Sequence, residues 1–237
     1  MQQVLVAAIK ERRLLKLLNY DFNFSVVLRN LNELISGLGL ALGLAVISLF
    51  IGVVIGLVVA FGAVSRRKLL NAAVLTYTTA FRNTPLLVLI YISFFGLPLI
   101  GVTFDRDSAF VVALSLYAGA YMTEVFRAGL AAIPTGLIEA AQAIGLHRSQ
   151  IRWTIQLPLM FRNVLPSMSN YLISLFKDTS LASAISIPEL TYVANKITTN
   201  TFRVFEAWIT VGLLYLCTCY LLALVLRGIE HKLTVIR

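Results

Sequence analysis

An all-α integral membrane bundle of about five transmembrane helices is the fold class this sequence predicts, and three observations carry the prediction. Hydrophobic residues make up 59% of the 237 residues and charged residues 13%, with a mean hydropathy of +0.85. A soluble domain has roughly 45–50% apolar and 25% charged residues. The apolar residues fall into long runs, and at about 20 residues per crossing the length allows five or six spans in one membrane domain. Between two of those runs lies an insert, residues 139–158, whose Gly, Pro and charged residues suit water rather than lipid.

Residues 1–33 mix Lys10, Arg12, Arg13 and Lys16 with Leu14, Leu15, Leu17 and Leu18. The pattern fits either an amphipathic helix on the membrane surface or a poorly ordered arm. It precedes a membrane domain over residues 34–237. The N-terminus lacks a basic start followed by an apolar core and a small-residue cleavage site, so insertion is expected to use the first true span.

Residues 34–65 carry no charge. As a helix they would measure about 48 Å, more than the roughly 30 Å hydrocarbon layer, so a tilted or overlong first span is expected. Gly39, Gly43, Gly52 and Gly56 recur four apart in two pairs and permit close helix contact, a weak signal because glycine is frequent in such helices. Arg66, Arg67 and Lys68 stop the run as a cytoplasmic anchor.

A second span is expected over residues 84–104. Arg82 precedes Pro85 by three residues, so an amphipathic lead-in helix should join the span at a bend there. Asp105, Arg106 and Asp107 mark a short outer turn before a third span near residues 109–132.

The run Ile133-Pro134-Thr135-Gly136 then closes that helix and offers Thr135 as the cap of a short helix over 137–143. Gly145 supplies the backbone freedom for a turn, and Arg148, Gln150 and Arg152 mark a solvated face before Leu157-Pro158 ends the segment. A fourth span is expected over 163–187. A polar, partly helical outer connection with Asn195, Thr198, Thr199, Asn200 and Thr201 follows, and then a fifth span over 207–226.

The formal charge of +9 does not indicate nucleic acid, because the Lys and Arg residues punctuate apolar runs instead of clustering on a soluble face. Cys217 and Cys219 lie two apart in a predicted helix and point to different faces, which disfavours a disulfide and makes core packing the expected role. No Gly-xxxx-Gly-Lys-Ser/Thr phosphate loop is present. His147 and His231 belong to no Ser-His-Asp or His-x-x-x-His arrangement, so an enzyme reading has no chemistry to rest on and no cofactor is expected in this chain.

The spacing of the insert is Glu139-Ala140-Ala141, three residues, Gly145, nine residues, then Ile155-x-Leu157-Pro158. It resembles the cytoplasmic loop, here about residues 133–160, that defines permease subunits of bacterial ABC importers. Phe81-Arg82-Asn83-Thr84-Pro85-Leu86-Leu87-Val88, Gly119-Ala120-Tyr121-Met122-Thr123-Glu124 and Phe176-Lys177-Asp178-Thr179-Ser180-Leu181 resemble landmarks of the polar amino acid uptake branch. The resemblance covers roughly residues 32–230.

It implies a multi-pass protein of the bacterial plasma (inner) membrane, and partners beyond the lipid bilayer. These are two ATPase subunits carrying ATP and Mg, a second permease subunit, identical or homologous, and an extracytoplasmic amino-acid-binding protein. It also implies that the helix from Glu139 to Gly145 sits in a groove on an ATPase, with Ala140 and Ala141 allowing close approach. Five spans with the loop and C-terminus inside require an outside N-terminus. The inner segments are basic in support of this, but the basic N-terminal arm opposes it.

A charge at mid-membrane costs roughly 2.5–3.5 kcal/mol on insertion scales, which singles out a few residues. Lys177 and Asp178, with the hydroxyls of Thr179 and Ser180, either face a translocation path or form a structural ion pair; the resemblance places this motif near the central path. Glu124 and Arg127 are three apart on one helix face and are expected to pair structurally, with Arg82 an alternative partner for Glu124. Glu139 is read either as a docking residue or as a carboxylate stabilised by the N-terminal helix dipole. Two other functions compete. A secondary transporter working without an ATPase would usually reveal an internal repeat, and none is evident. A non-transporting membrane scaffold is the other.

Overall fold

The computed structural model describes residues 20–63 and 68–234, and among these no strand occurs. Residues 1–19, Arg66, Arg67 and Arg237, to which the sequence assigned an arm and inner anchors, lie outside the described residues. From Tyr20 onward the presumed arm belongs to the bundle. Tyr20 Oη donates to Glu206 Oε2 (2.6 Å), the Asn23 N–H donates to Glu206 Oε1 (2.9 Å), and Arg203 donates to the Asp21 carbonyl (2.7 Å). A short helix α1 (Ser25–Arg29) buries Val27 among Leu34, Leu190, Ile197 and Val211.

Helix α2 (Leu31–Ala63) is the overlong first span, 33 residues or about 50 Å. Its glycine pairs behave differently. A Cβ on Gly52 would lie 2.6 Å from Ala118 Cβ and one on Gly56 2.5 Å from Met122 Cβ, so this pair brings α2 against α5 (Arg106–Ala131). Nothing lies within 4 Å of a Cβ on Gly39 or Gly43.

Helix α3 (Lys68–Asn83) is the lead-in, and the chain turns by 104° between it and Leu86–Ile100. Pro85, with ψ 133°, holds the extended backbone that forces the break. Beyond it, α4 (Leu86–Tyr91) passes into a wide π turn (Ile92–Gly96) and a 3-10 turn (Leu97–Ile100) that stops at Gly101. The helical part is therefore shorter than the 84–104 expected. Ser93 in the π turn donates to the Ala109 carbonyl (2.8 Å) and ties this irregular end to α5.

Helix α5 is the central post. Asp105 caps it, and the Ser108 hydrogen bonds hold that carboxyl below its ordinary pKa. Phe110, Leu114, Met122 and Phe126 along it are fully buried.

After α6 (Thr135–Ala143) and α7 (Arg148–Ile151) the chain stays helical, through a π turn (Arg152–Gln156), into α8 (Leu157–Asp178). Leu157-Pro158 thus continues the helix rather than ending the segment, the missing N–H of Pro158 falling where the π turn passes into α8 and the hydrogen-bond register changes. A 3-10 turn (Thr179–Ile185) extends α8, and the expected outer connection is the well-formed helix α9 (Leu190–Thr201). Helix α10 (Val204–Thr234) completes the bundle.

Among the described residues α2, α5 and α10 are long and apolar enough to cross a membrane, and the bent α3–α4 pair has the length and composition of a broken span or a re-entrant loop. Helix α8 is more polar in sequence but packs against α2, α5 and α10 as the remaining wall. Cys219 packs beside Ala41, Ala45 and Phe176, whereas Cys217 is exposed, so core packing describes only the first.

Candidate functional site

The hairpin α6–α7 is built by its turn residues. Pro134, not Thr135, stands at the N-cap, without a side-chain bond; Thr135 is already helical, since proline's own extended backbone delivers the chain into the first turn. The early start puts Glu139 beyond that turn, where the helix dipole has largely faded. At the other end the Gly145 N–H donates to the Gln142 carbonyl (3.0 Å) and the Leu146 N–H to the Ala141 carbonyl (3.1 Å), a Schellman closure. It needs the left-handed backbone of Gly145, φ +83°.

His147 then caps α7. Its ring accepts from the Ser149 N–H (3.4 Å), and its own N–H donates to Gln150 Oε1 (2.8 Å). The sequence reading passed over this role, because a histidine cap has no strong sequence signature.

The hairpin has an inner and an outer face. Ile138 packs on the cluster of Ile133, Met160 and Phe126, and Leu157 joins the same cluster. Ala141 is turned inward, 3% exposed, so it braces the hairpin instead of offering a close approach. Glu139, Ala140 and Ile144 are exposed, Ile144 at 78%, and Pro158 is exposed at the base.

At the end of α5 nearest the hairpin, Arg127 Nη1 lies 2.8 Å from Glu124 Oε1. Both line a cleft of about 550 Å³ with Phe61, Ala131, Arg152 and Gln156. Arg82 takes another partner: its guanidinium lies 5.2 Å from the centroid of the Tyr121 ring, a cation–π contact.

Tyr121 belongs to a cluster that the sequence reading missed. Its ring stacks on Tyr171 (5.4 Å between centroids), and the hydroxyls of Tyr117 and Tyr121 lie 3.3 Å apart. Only the four-residue spacing of Tyr117 and Tyr121 on α5 was visible in sequence; Tyr171 arrives from α8. The buried Tyr171 hydroxyl has no hydrogen-bond partner among the described residues. Asp178 lies within electrostatic reach of Tyr117 and Tyr171.

Asp178 is half-buried and Lys177 exposed, and neither forms an ion pair with another helix among the described residues. Thr179 is buried and donates to the Phe176 carbonyl (2.6 Å), while the Ser180 carbonyl accepts from Ser183 (2.7 Å); both serve the 3-10 turn.

Beside this turn, Glu189 caps α9 by accepting from Thr191 N–H and Tyr192 N–H, each at 2.8 Å, and from the Tyr215 hydroxyl at 3.1 Å, while the Tyr215 ring packs on Phe176 (5.3 Å between centroids). Burial pushes its carboxyl above the ordinary pKa, and the two amides pull it back. Glu33 and Lys196 pair near it (2.9 Å).

Residues 52–235 match the family described as Binding-protein-dependent transport system inner membrane component. The octopine transport system permease protein OccM of Rhizobium radiobacter is 39% identical over 209 residues, 84% of this chain and 85% of that one. The probable amino-acid ABC transporter permease protein YckA of Bacillus subtilis is 33% identical over 213 residues, 90% of this chain and 94% of that one. Among solved structures, a chain of an amino acid ABC transporter crystallised with histidines is 29% identical with a TM-score of 0.84, covering 90% of this chain and 100% of that one. The inward-facing MetNI methionine ABC transporter, at 24% identity, shares the fold with a TM-score of 0.73 over 86% of this chain and 97% of that one.

Proposed function

The chain belongs to the binding-protein-dependent transport system inner membrane components, and from that premise we propose that it forms the membrane path for a polar amino acid in an ATP-driven importer. The observation that carries this reading is the hairpin α6–α7, braced from within by Ile138 and Ala141 while Ala140 and Ile144 face outward. Two partner ATPase subunits, which hold the ATP and Mg, receive that face, and their closure moves the hairpin as a lever. The continuous helical rod from α7 into α8 transmits the movement to Lys177 and Asp178. A second permease subunit closes the path, with the hairpin and C-terminus cytoplasmic and the N-terminus outside.

Within the path, Tyr117, Tyr121 and Tyr171 offer rings and hydroxyls to a polar solute, and Asp178 adds a charge. A partnerless buried phenol such as Tyr171 favours a ligand able to hydrogen-bond. A solute-loaded receptor on the outer face drives the cycle only if it prefers one access state, since equal affinity for both shifts nothing. The names of the relatives, which include amino-acid, arginine and glutamine permeases, support this cargo class.

The test is uptake of labelled amino acids into vesicles holding the chain with its co-purified partners. Uptake that needs ATP and the ATPase subunits is expected. Uptake driven by an ion gradient without them would establish a secondary transporter, and no uptake of any amino acid in the intact assembly would leave a scaffold.

A further inference from the structure

The cleft at the hairpin end of α5 adjoins a second one. The first, about 550 Å³, carries charge, with Glu124, Arg127, Arg152 and Gln156 on its walls beside Phe61 and Leu130. The second, about 370 Å³, is walled by Leu57, Val58, Phe61 and Trp153. Phe61 and Arg152 line both, so a charged compartment opens directly into an apolar one.

Its charge is unbalanced. Glu124 answers Arg127 at 2.8 Å, whereas Arg152 is exposed and forms no ion pair among the described residues. Trp153, 71% exposed, stands beside it, and an exposed Trp next to an Arg at the end of a membrane helix is the pattern of an interfacial anchor. The apolar compartment lies on the flank of α2 where Val58 is exposed, near the apolar helix's C-terminal end.

We propose that the joined clefts bind one anionic phospholipid of the leaflet on the hairpin side. Its phosphate sits against Arg152 and Gln156, and one acyl chain runs along Leu57, Val58 and Phe61 past Trp153. The positive excess selects an anionic over a zwitterionic headgroup, and basic pockets between membrane helices are suited to such headgroups. The π turn Arg152–Gln156 supplies two of the headgroup contacts, so occupancy fixes the turn that links the hairpin to α8.

The test uses the full chain, purified from membranes and analysed by native mass spectrometry after exchange into mixed phosphatidylglycerol and phosphatidylcholine. Retention of one phosphatidylglycerol is expected, with a roughly tenfold loss of occupancy in Arg152→Gln, the scale of one charge-assisted bond. Val58→Trp, which fills the apolar compartment from an exposed position without altering charge, should lose the lipid as well, and it decides the matter if Arg152→Gln does not fold. Equal retention of both lipids, or unchanged occupancy in both variants, would overturn the proposal. So would displacement of the lipid by inorganic phosphate alone, which would make the site one for free anions. Loss of ATPase-subunit binding in Arg152→Gln with lipid occupancy unchanged would assign the cleft to a protein contact and overturn it too.

Discussion

Gly56 of α2 and Met122 of α5 stand so close that a Cβ on the glycine would lie 2.5 Å from the Met122 Cβ and 2.9 Å from Met122 backbone. Backbone cannot yield as a flexible side-chain end does. Gly56→Val should therefore cost about 1–3 kcal/mol by overpacking. Thermal melting of the purified protein checks this, with Gly39→Val as the control expected to melt like the parent, since a Cβ there meets nothing within 4 Å.

Gly145 has open space around it but a positive φ, so substitutions there act through backbone strain alone. Gly145→Val should weaken the Schellman closure by about 1–2 kcal/mol and reduce ATP-coupled uptake several-fold, with membrane insertion unaffected. Gly145→Asn should fall between, because asparagine tolerates this conformation. Uptake and membrane abundance measured side by side separate coupling from folding.

Glu189 holds two amides of α9 and the Tyr215 hydroxyl at once. Glu189→Ala removes the cap and should lower stability by about 1–2 kcal/mol. Tyr215→Phe leaves the cap intact and should cost about 1 kcal/mol or less. The order of the two melting temperatures is the check.

Asp178 lies near the tyrosine cluster without an ion-pair partner among the described residues. Asp178→Asn should leave the bundle assembled and change the rate of uptake or the preference between cationic and neutral amino acids. Competition uptake in reconstituted vesicles reads this out, and unchanged kinetics would return Asp178 to a packing role.

The order of the helices was legible because hydropathy over a span sums many small terms. The bend at Pro85 and the turn at Gly145 were legible because proline and glycine act on their own backbone. Where the sequence reading erred, tertiary context decided. Thr135 has the chemistry of a cap, but Pro134 had already set the entry to the helix, and that shift carried Glu139 out of the dipole's reach. Leu157-Pro158 reads as a stop in isolation, yet the π turn just before it carries the helix past the proline. Arg82 found an aromatic ring where only carboxylates had been considered. The tyrosine cluster joins α5 to α8 across a long stretch of chain, and no local pattern announces such a meeting.

The unequal reach of two neighbouring walls has a mechanical outcome for the surrounding lipid. The helical stretch from Leu86 to Ile100 extends only about 22 Å, while α2 runs to about 50 Å. A bilayer wrapped around so lopsided a body must pinch on one flank, and the taller post must lean. Both deformations shrink if the low flank is shielded from acyl tails.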